Sequence, residues 1–148
     1  MTEDKKYRLL KYSFKAEVNI AILFLRVFVG IMMMTHAIDK IENFSNIAEG
    51  FPTPFGINAW VGLTLITIVE FACSVMLIVG FFTRLAAFIL MLGMVTAAFF
   101  TFPEFILKQS ELAMMYLAVY IVLFITGGGR FTIDQFIRRI YLKKRINR

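Results

Sequence analysis

Residues 60–82 form a run of 23 with a single charged side chain, Glu70, and no other feature limits the fold so strongly. A helix of that length crosses the hydrocarbon core of a bilayer, which is about 30 Å thick. A carboxylate at the centre of a crossing costs roughly 2.5–3.5 kcal/mol on insertion scales. Either other spans bring Glu70 polar partners, or burial keeps it neutral.

Three further apolar stretches, 20–35, 85–102 and 112–125, are bounded by charges, Pro or Gly. With 59% hydrophobic and 16% aromatic residues, the chain lies well outside the range of soluble domains. No ten-residue alternation of polar and apolar residues suggests a barrel, so the crossings are expected to be helices. The predicted fold is all-α: an integral membrane four-helix bundle with spans near 20–37, 60–82, 85–102 and 111–127, followed by a short amphipathic basic helix at the C-terminus. The expected organisation is a basic amphipathic cytoplasmic tail over 1–19, a transmembrane domain over 20–129, and a cytoplasmic interfacial helix over 130–148. The outer segment 43–59, rich in Asn, Gly and Pro, is expected to be irregular, with the option of folding down as a cap.

Nineteen mixed-charge residues precede the first apolar stretch and no small-residue cleavage site follows it, so no cleaved leader is predicted. Cys73 is the one cysteine, which excludes an intramolecular disulfide, a CxxC pair and a cysteine metal cluster.

Charge placement predicts orientation. Lys5, Lys6, Arg8, Lys11 and Lys15 precede the first span, Arg84 sits between the second and third, and Arg130, Arg138, Arg139, Lys143, Lys144, Arg145 and Arg148 follow the fourth. The other two loops carry only Lys40 and Lys108. The positive-inside rule then puts both termini in the cytoplasm and the loops at 36–59 and 103–111 outside. The net charge of +6 follows from this topology and from contact with anionic lipid, and no nucleic-acid partner is expected. Three glycines at 127–129 end the last span, and Thr132 with Gln135 has the spacing of a capping box opening the basic helix.

Helical rise assigns depths to the polar residues. Arg26 falls roughly 9 Å, Glu70 roughly 18 Å and His36 roughly 24 Å above the cytoplasmic boundary. Side chains lean toward their own helix N-terminus, so Glu70 leans outward toward His36, and Arg26 leans away from it. Arg26, Met33, His36 and Lys40 share a stripe about 80° wide, and Glu111 opens the fourth span at a height near that of His36. The sequence therefore allows a cluster of Glu70, His36, Lys40 and Glu111 in the outer half, with Thr67 and Ser74 beside Glu70 on its own face. These six and Arg26 are the candidate ligand or proton site. Each has a plainer reading: Glu70 as a register-fixing structural pair, Arg26 as a snorkelling or packing residue, and His36 and Lys40 as interfacial. Cys73 and Met32 to Met34 read as packing.

Taken in order, Arg26, Gly30, then His36-Ala37-Ile38-Asp39-Lys40, then Glu70 ahead of Gly80-Phe81-Phe82-Thr83-Arg84-Leu85-Ala86-Ala87, then Glu111, then Gly128-Gly129-Arg130-Phe131-Thr132-Ile133-Asp134 resemble the DoxX family of small four-helix bacterial membrane proteins. The motif residues are Gly30, Gly80, Thr83, Arg84, Gly129, Arg130 and Asp134, and the resemblance covers about residues 20–136. The family pattern usually has Gly where this chain has Ala37, and Ser where it has Thr132. The resemblance implies a multi-pass protein of the bacterial cytoplasmic membrane, with relatives that include a subunit of a thiosulfate:quinone oxidoreductase and components of thiol-stress complexes.

Three functions compete. In the first, the chain is an accessory subunit of a quinone-linked membrane redox complex, with a small hydrophobic ligand held in the outer polar cluster. A quinone is the one cofactor candidate, no metal site is expected, and the chain has no complete catalytic or cofactor-ligand set, so the electrons come from a partner protein. In the second, it is a non-enzymatic partner, assembly or scaffold subunit of a larger membrane complex, with self-association left open. In the third, ranked last, it moves a small solute or protons.

Overall fold

The computed structural model describes the backbone over residues 3–51, 56–100 and 107–146, and the side chains over 15–51, 56–98 and 111–142. Among the described residues every regular element is a helix: α1 (Glu3–Glu42), α2 (Phe44–Gly50), α3 (Ala59–Val79), α4 (Thr83–Phe100), α5 (Leu107–Thr126) and α6 (Ile133–Ile146).

Helix α1 runs unbroken for 40 residues, about 60 Å. The sequence reading sets residues 1–19 apart as an interfacial tail, and the structure carries residues 3–19 in the same helix as the first span. No Pro or Gly lies between Glu3 and Val29, and Lys, Leu, Arg, Glu and Ala favour continuation. The same rod carries past Thr35 to Glu42 at its far end. The segment after it also differs from expectation. Residues 44–50 form the short helix α2, whose Ala48 is buried and which packs on α3; residues 52–55 lie outside the described residues.

Helix α3 begins where the Asn58 side chain accepts a hydrogen bond from the Trp60 amide at 2.9 Å. It stops at Gly80, whose φ of +78° is the left-handed conformation that closes a helix, and whose amide returns to the Met76 carbonyl at 2.9 Å. The expected continuation of this span to Phe82 is therefore cut short. At Gly30 a Cβ would come within 2.8 Å of Ile78 Cγ1, so the absence of a side chain lets α1 and α3 approach closely.

Contacts close a ring: α1 packs on α3, α3 on α4, α4 on α5, and α5 back on α1. Val29, Met33, Cys73, Leu77, Leu90, Met94, Tyr120 and Leu123 fill the interior. The perimeter is also apolar. Phe24, Phe28, Leu65, Ile68, Met115 and Ile125 are all more than half exposed, a greasy surface far larger than soluble monomers present. Residues Lys15–Glu42 of α1 and Ala59–Val79 are long and apolar enough to cross a membrane; Thr83–Ala98 and Glu111–Thr126 are apolar but shorter.

Helix α6 starts at Ile133, with the Thr132 hydroxyl accepting from the Gln135 amide at 3.1 Å. Phe136, Ile137, Ile140 and Tyr141 are exposed on it. The Asp134 carboxylate, accepting from the Phe82 amide at 2.9 Å, fastens α6 to the α3–α4 turn.

Candidate functional site

Lys40 sits in the last turn of α1 and reaches the middle of α3, where its ammonium meets both oxygens of Glu70, at 2.6 Å (Oε1) and 2.5 Å (Oε2). The Glu70 side chain is 5% exposed and that of Lys40 25%, so the carboxylate is enclosed and the ammonium only partly so. An ammonium has three donors. Those not engaged by the carboxylate remain for a second acceptor.

Of the two basic candidates expected near Glu70, Lys40 forms the pair, and the His36 ring packs edge-on against Tyr116 with centroids 5.6 Å apart. Tyr116 in turn stacks on Tyr120 at 6.0 Å, and the fully buried Tyr120 hydroxyl has no hydrogen-bond partner among the described residues. Thr67 and Ser74 are buried beside Glu70, but their hydroxyls are spent within α3, on the carbonyls of Leu63 (2.7 Å) and Glu70 (2.6 Å). This is the usual local bond of a hydroxyl residue inside a helix. Glu111 is exposed on α5 and forms no ion pair among the described residues. The anticipated four-member cluster is thus a two-member ion pair with His36 alongside.

Arg26 is elsewhere. Only 2% exposed, it points to the end of the bundle where α3 and α5 finish, and its guanidinium donates to the carbonyls of Gly128 (3.0 Å) and Phe131 (2.8 Å). A planar fork suits two carbonyls at once, and the turn needs such donors because its own carbonyls lie beyond the helix end. Gly80 and Gly128 make room: a Cβ on Gly80 would strike Arg26 Nη1, and one on Gly128 would strike the Thr83 hydroxyl. Of the remaining motif residues, Arg84 donates to the Ile125 carbonyl at 3.2 Å, and the Arg130 amide donates to Asn19 of α1 at 2.8 Å. Gly129, with φ +73°, shapes the same turn, and Asp134 holds the α3–α4 turn through the Phe82 amide.

Two cavities flank the Lys40–Glu70 pair. The larger, about 580 Å³, lies between α3 and α4 beneath α2; Ile47, Phe51, Gly62, Ile66 and Gly93 line it along with the ion pair. Leu65 and Thr96, both exposed, stand at its mouth, so it opens on the flank of the bundle. The smaller, about 140 Å³, is lined by Met33, His36, Met94 and Tyr116 with the same ion pair. Ligand pockets commonly combine such an apolar lining with one or two fixed polar groups, in volumes of about 300–1,000 Å³. Sequence reasoning overlooked Gly62 and Gly93. Their signal was present: a glycine inside an apolar helix sacrifices about 1 kcal/mol of helix propensity and leaves an indentation. No group of three or more metal-ligating side chains occurs among the described residues.

The sequence model of the DoxX family matches residues 21–103. An uncharacterized protein of Haemophilus influenzae is 32% identical over 127 residues, an alignment covering 76% of this chain and 87% of the relative. No solved structure matches the chain.

Proposed function

The chain belongs to the DoxX family, and from that premise we propose that it is a multi-pass protein of the bacterial cytoplasmic membrane that binds a small hydrophobic, quinone-like ligand as an accessory subunit of a membrane redox complex. All four long helices cross the bilayer in this reading. Both termini are cytoplasmic, and α6 lies at the interface with its apolar side chains in the acyl boundary.

The observation carrying the ligand reading is the 580 Å³ apolar cleft with one ion pair in its wall. A planar ring has its place between α3 and α4 where Gly93 withholds a side chain, and a ligand carbonyl accepts from an ammonium hydrogen of Lys40. Quinone reduction to quinol consumes two electrons and two protons. The electrons come from a partner protein; the protons are relayed at Lys40 and Glu70, with His36 on the far side of the pair. A non-enzymatic scaffold or assembly subunit is the second reading. The same ion pair favours it by locking α1 to α3, a structural use that needs no ligand.

Extraction of the protein purified in mild detergent from its own membranes separates the two. About one quinone per chain is expected, and Gly93→Leu, which fills the cleft, is expected to lose it while the fold persists. A stoichiometric protein partner with no quinone overturns the first reading in favour of the second.

A further inference from the structure

The cleft beside Lys40 holds more than a head group, and its walls change character from one end to the other. At about 580 Å³ it has roughly four times the volume, about 150 Å³, that closes around a single benzene ring. A ring beside the ion pair leaves most of the space to something else.

The polar groups are gathered at one end. Besides Lys40 and Glu70, Thr96 is the one other polar side chain in the lining among the described residues, and its hydroxyl donates to the Leu92 carbonyl at 2.9 Å within α4. The mouth between Leu65 and Thr96 therefore presents carbon, with no side-chain donor or acceptor to spare. On the side of α2, Ile47, Phe51 and Ile57 form the roof, and the Phe51 ring lies so near Gly62 that a Cβ there would come within 3.3 Å of it.

Depth says what the mouth meets. Leu65 lies five residues, about 7.5 Å, inside Trp60 at the start of α3, and Thr96 lies four residues, about 6 Å, before the end of α4 at Phe100. With all four long helices crossing, both lips stand among the acyl chains of one leaflet, more than a turn from its headgroups.

Charge selects the head. The ammonium of Lys40 and the carboxylate of Glu70 cancel, so a neutral head adds no net charge to the enclosure. A carboxylate or phosphate head would bring a second anion beside Glu70 with no second cation in the lining among the described residues, which is costly away from water. A carbonyl oxygen needs only the spare ammonium hydrogen.

We propose that the occupant is a membrane lipid with a neutral, carbonyl-bearing ring as its head and a single long hydrocarbon tail, which enters sideways from the leaflet on the α2 side and leaves its tail in the gap between Leu65 and Thr96. This occupant rests on the ligand reading above and narrows it. The head and the first part of the tail are enclosed, and the rest stays in the bilayer.

The full chain in phosphatidylcholine nanodiscs is titrated with trimethylbenzoquinones that carry a methyl group, two prenyl units or ten prenyl units at the fourth ring position. Affinity, as mole fraction in the bilayer, is read from the rise in melting temperature. The two tailed probes bind within about threefold of each other, because tail beyond the mouth lies in lipid whether or not the head is bound. Thr96→Phe, at an exposed position, narrows the exit; it weakens both tailed probes about tenfold and leaves the methyl probe unchanged. Dodecanoate, a single tail with a charged head, does not displace the two-unit probe. Binding of the methyl probe with rejection of the ten-unit probe overturns the proposal and spares the ligand reading. So does a Thr96→Phe effect that is equal across the three probes or absent from all, and so does displacement by dodecanoate. Failure of every probe to bind overturns the ligand reading itself and the proposal with it.

Discussion

Removing Lys40 is the sharpest test of how Glu70 is accommodated. In Lys40→Met the Glu70 side chain, 5% exposed, loses its ion-pair partner and keeps its burial. A buried carboxylate left unpaired costs about 3–5 kcal/mol, which for a chain of this size is a melting shift of roughly 6–20 °C. Cys73 supplies the assay: it is the sole thiol, 4% exposed, so a maleimide fluorophore reacts as the bundle opens. Adding Glu70→Gln to Lys40→Met should recover most of the loss, because no buried charge remains. A Lys40→Met protein that melts with the parent, or whose loss is not recovered by the added Glu70→Gln, would refute the account.

Gly80→Ala is expected to lose at least about 2 kcal/mol, combining left-handed backbone strain of about 1–2 kcal/mol with the collision of its Cβ and Arg26. In the same melt Gly50→Ala, which has nothing within 4 Å, should lose nothing. For orientation, a cysteine at the exposed Asn46 should react with an impermeant maleimide from outside intact spheroplasts, and labelling only after the membrane is opened would reverse the assignment.

How much of this was legible beforehand varied by residue. Depth arithmetic puts His36 about 6 Å and Lys40 about 12 Å outward of Glu70, close enough for one cluster, because all three lie on continuous helices, where rise per residue is fixed. It favours His36 over Arg26 and admits Lys40 to the cluster without choosing between the two bases; a lysine stem extends a full turn back along its helix, and an imidazole does not, so Lys40 makes the pair. The start of α6 was readable from Thr132 and Gln135 because capping is local. Arg26 was unreadable: its acceptors are backbone carbonyls more than 100 positions away, in a glycine turn whose path no local pattern specifies. Helix α2 was missed for another reason. Asn, Gly and Pro across 43–59 suggest loop, yet seven residues between them suffice for a short helix once Ala48 is buried.

An unbroken α1 has mechanical consequences. Arg26 and Lys40 are 14 residues apart on one stiff rod, about 21 Å, with neither Pro nor a chain break between them to act as a hinge. Parting Lys40 from Glu70 by more than a side-chain swing requires the rod to tilt or slide as a whole, and that motion pulls on the guanidinium gripping the turn at 128–131. A tilt of the rod at the Lys40 end is thereby carried to the other, where the α4 N-terminus and α6 meet.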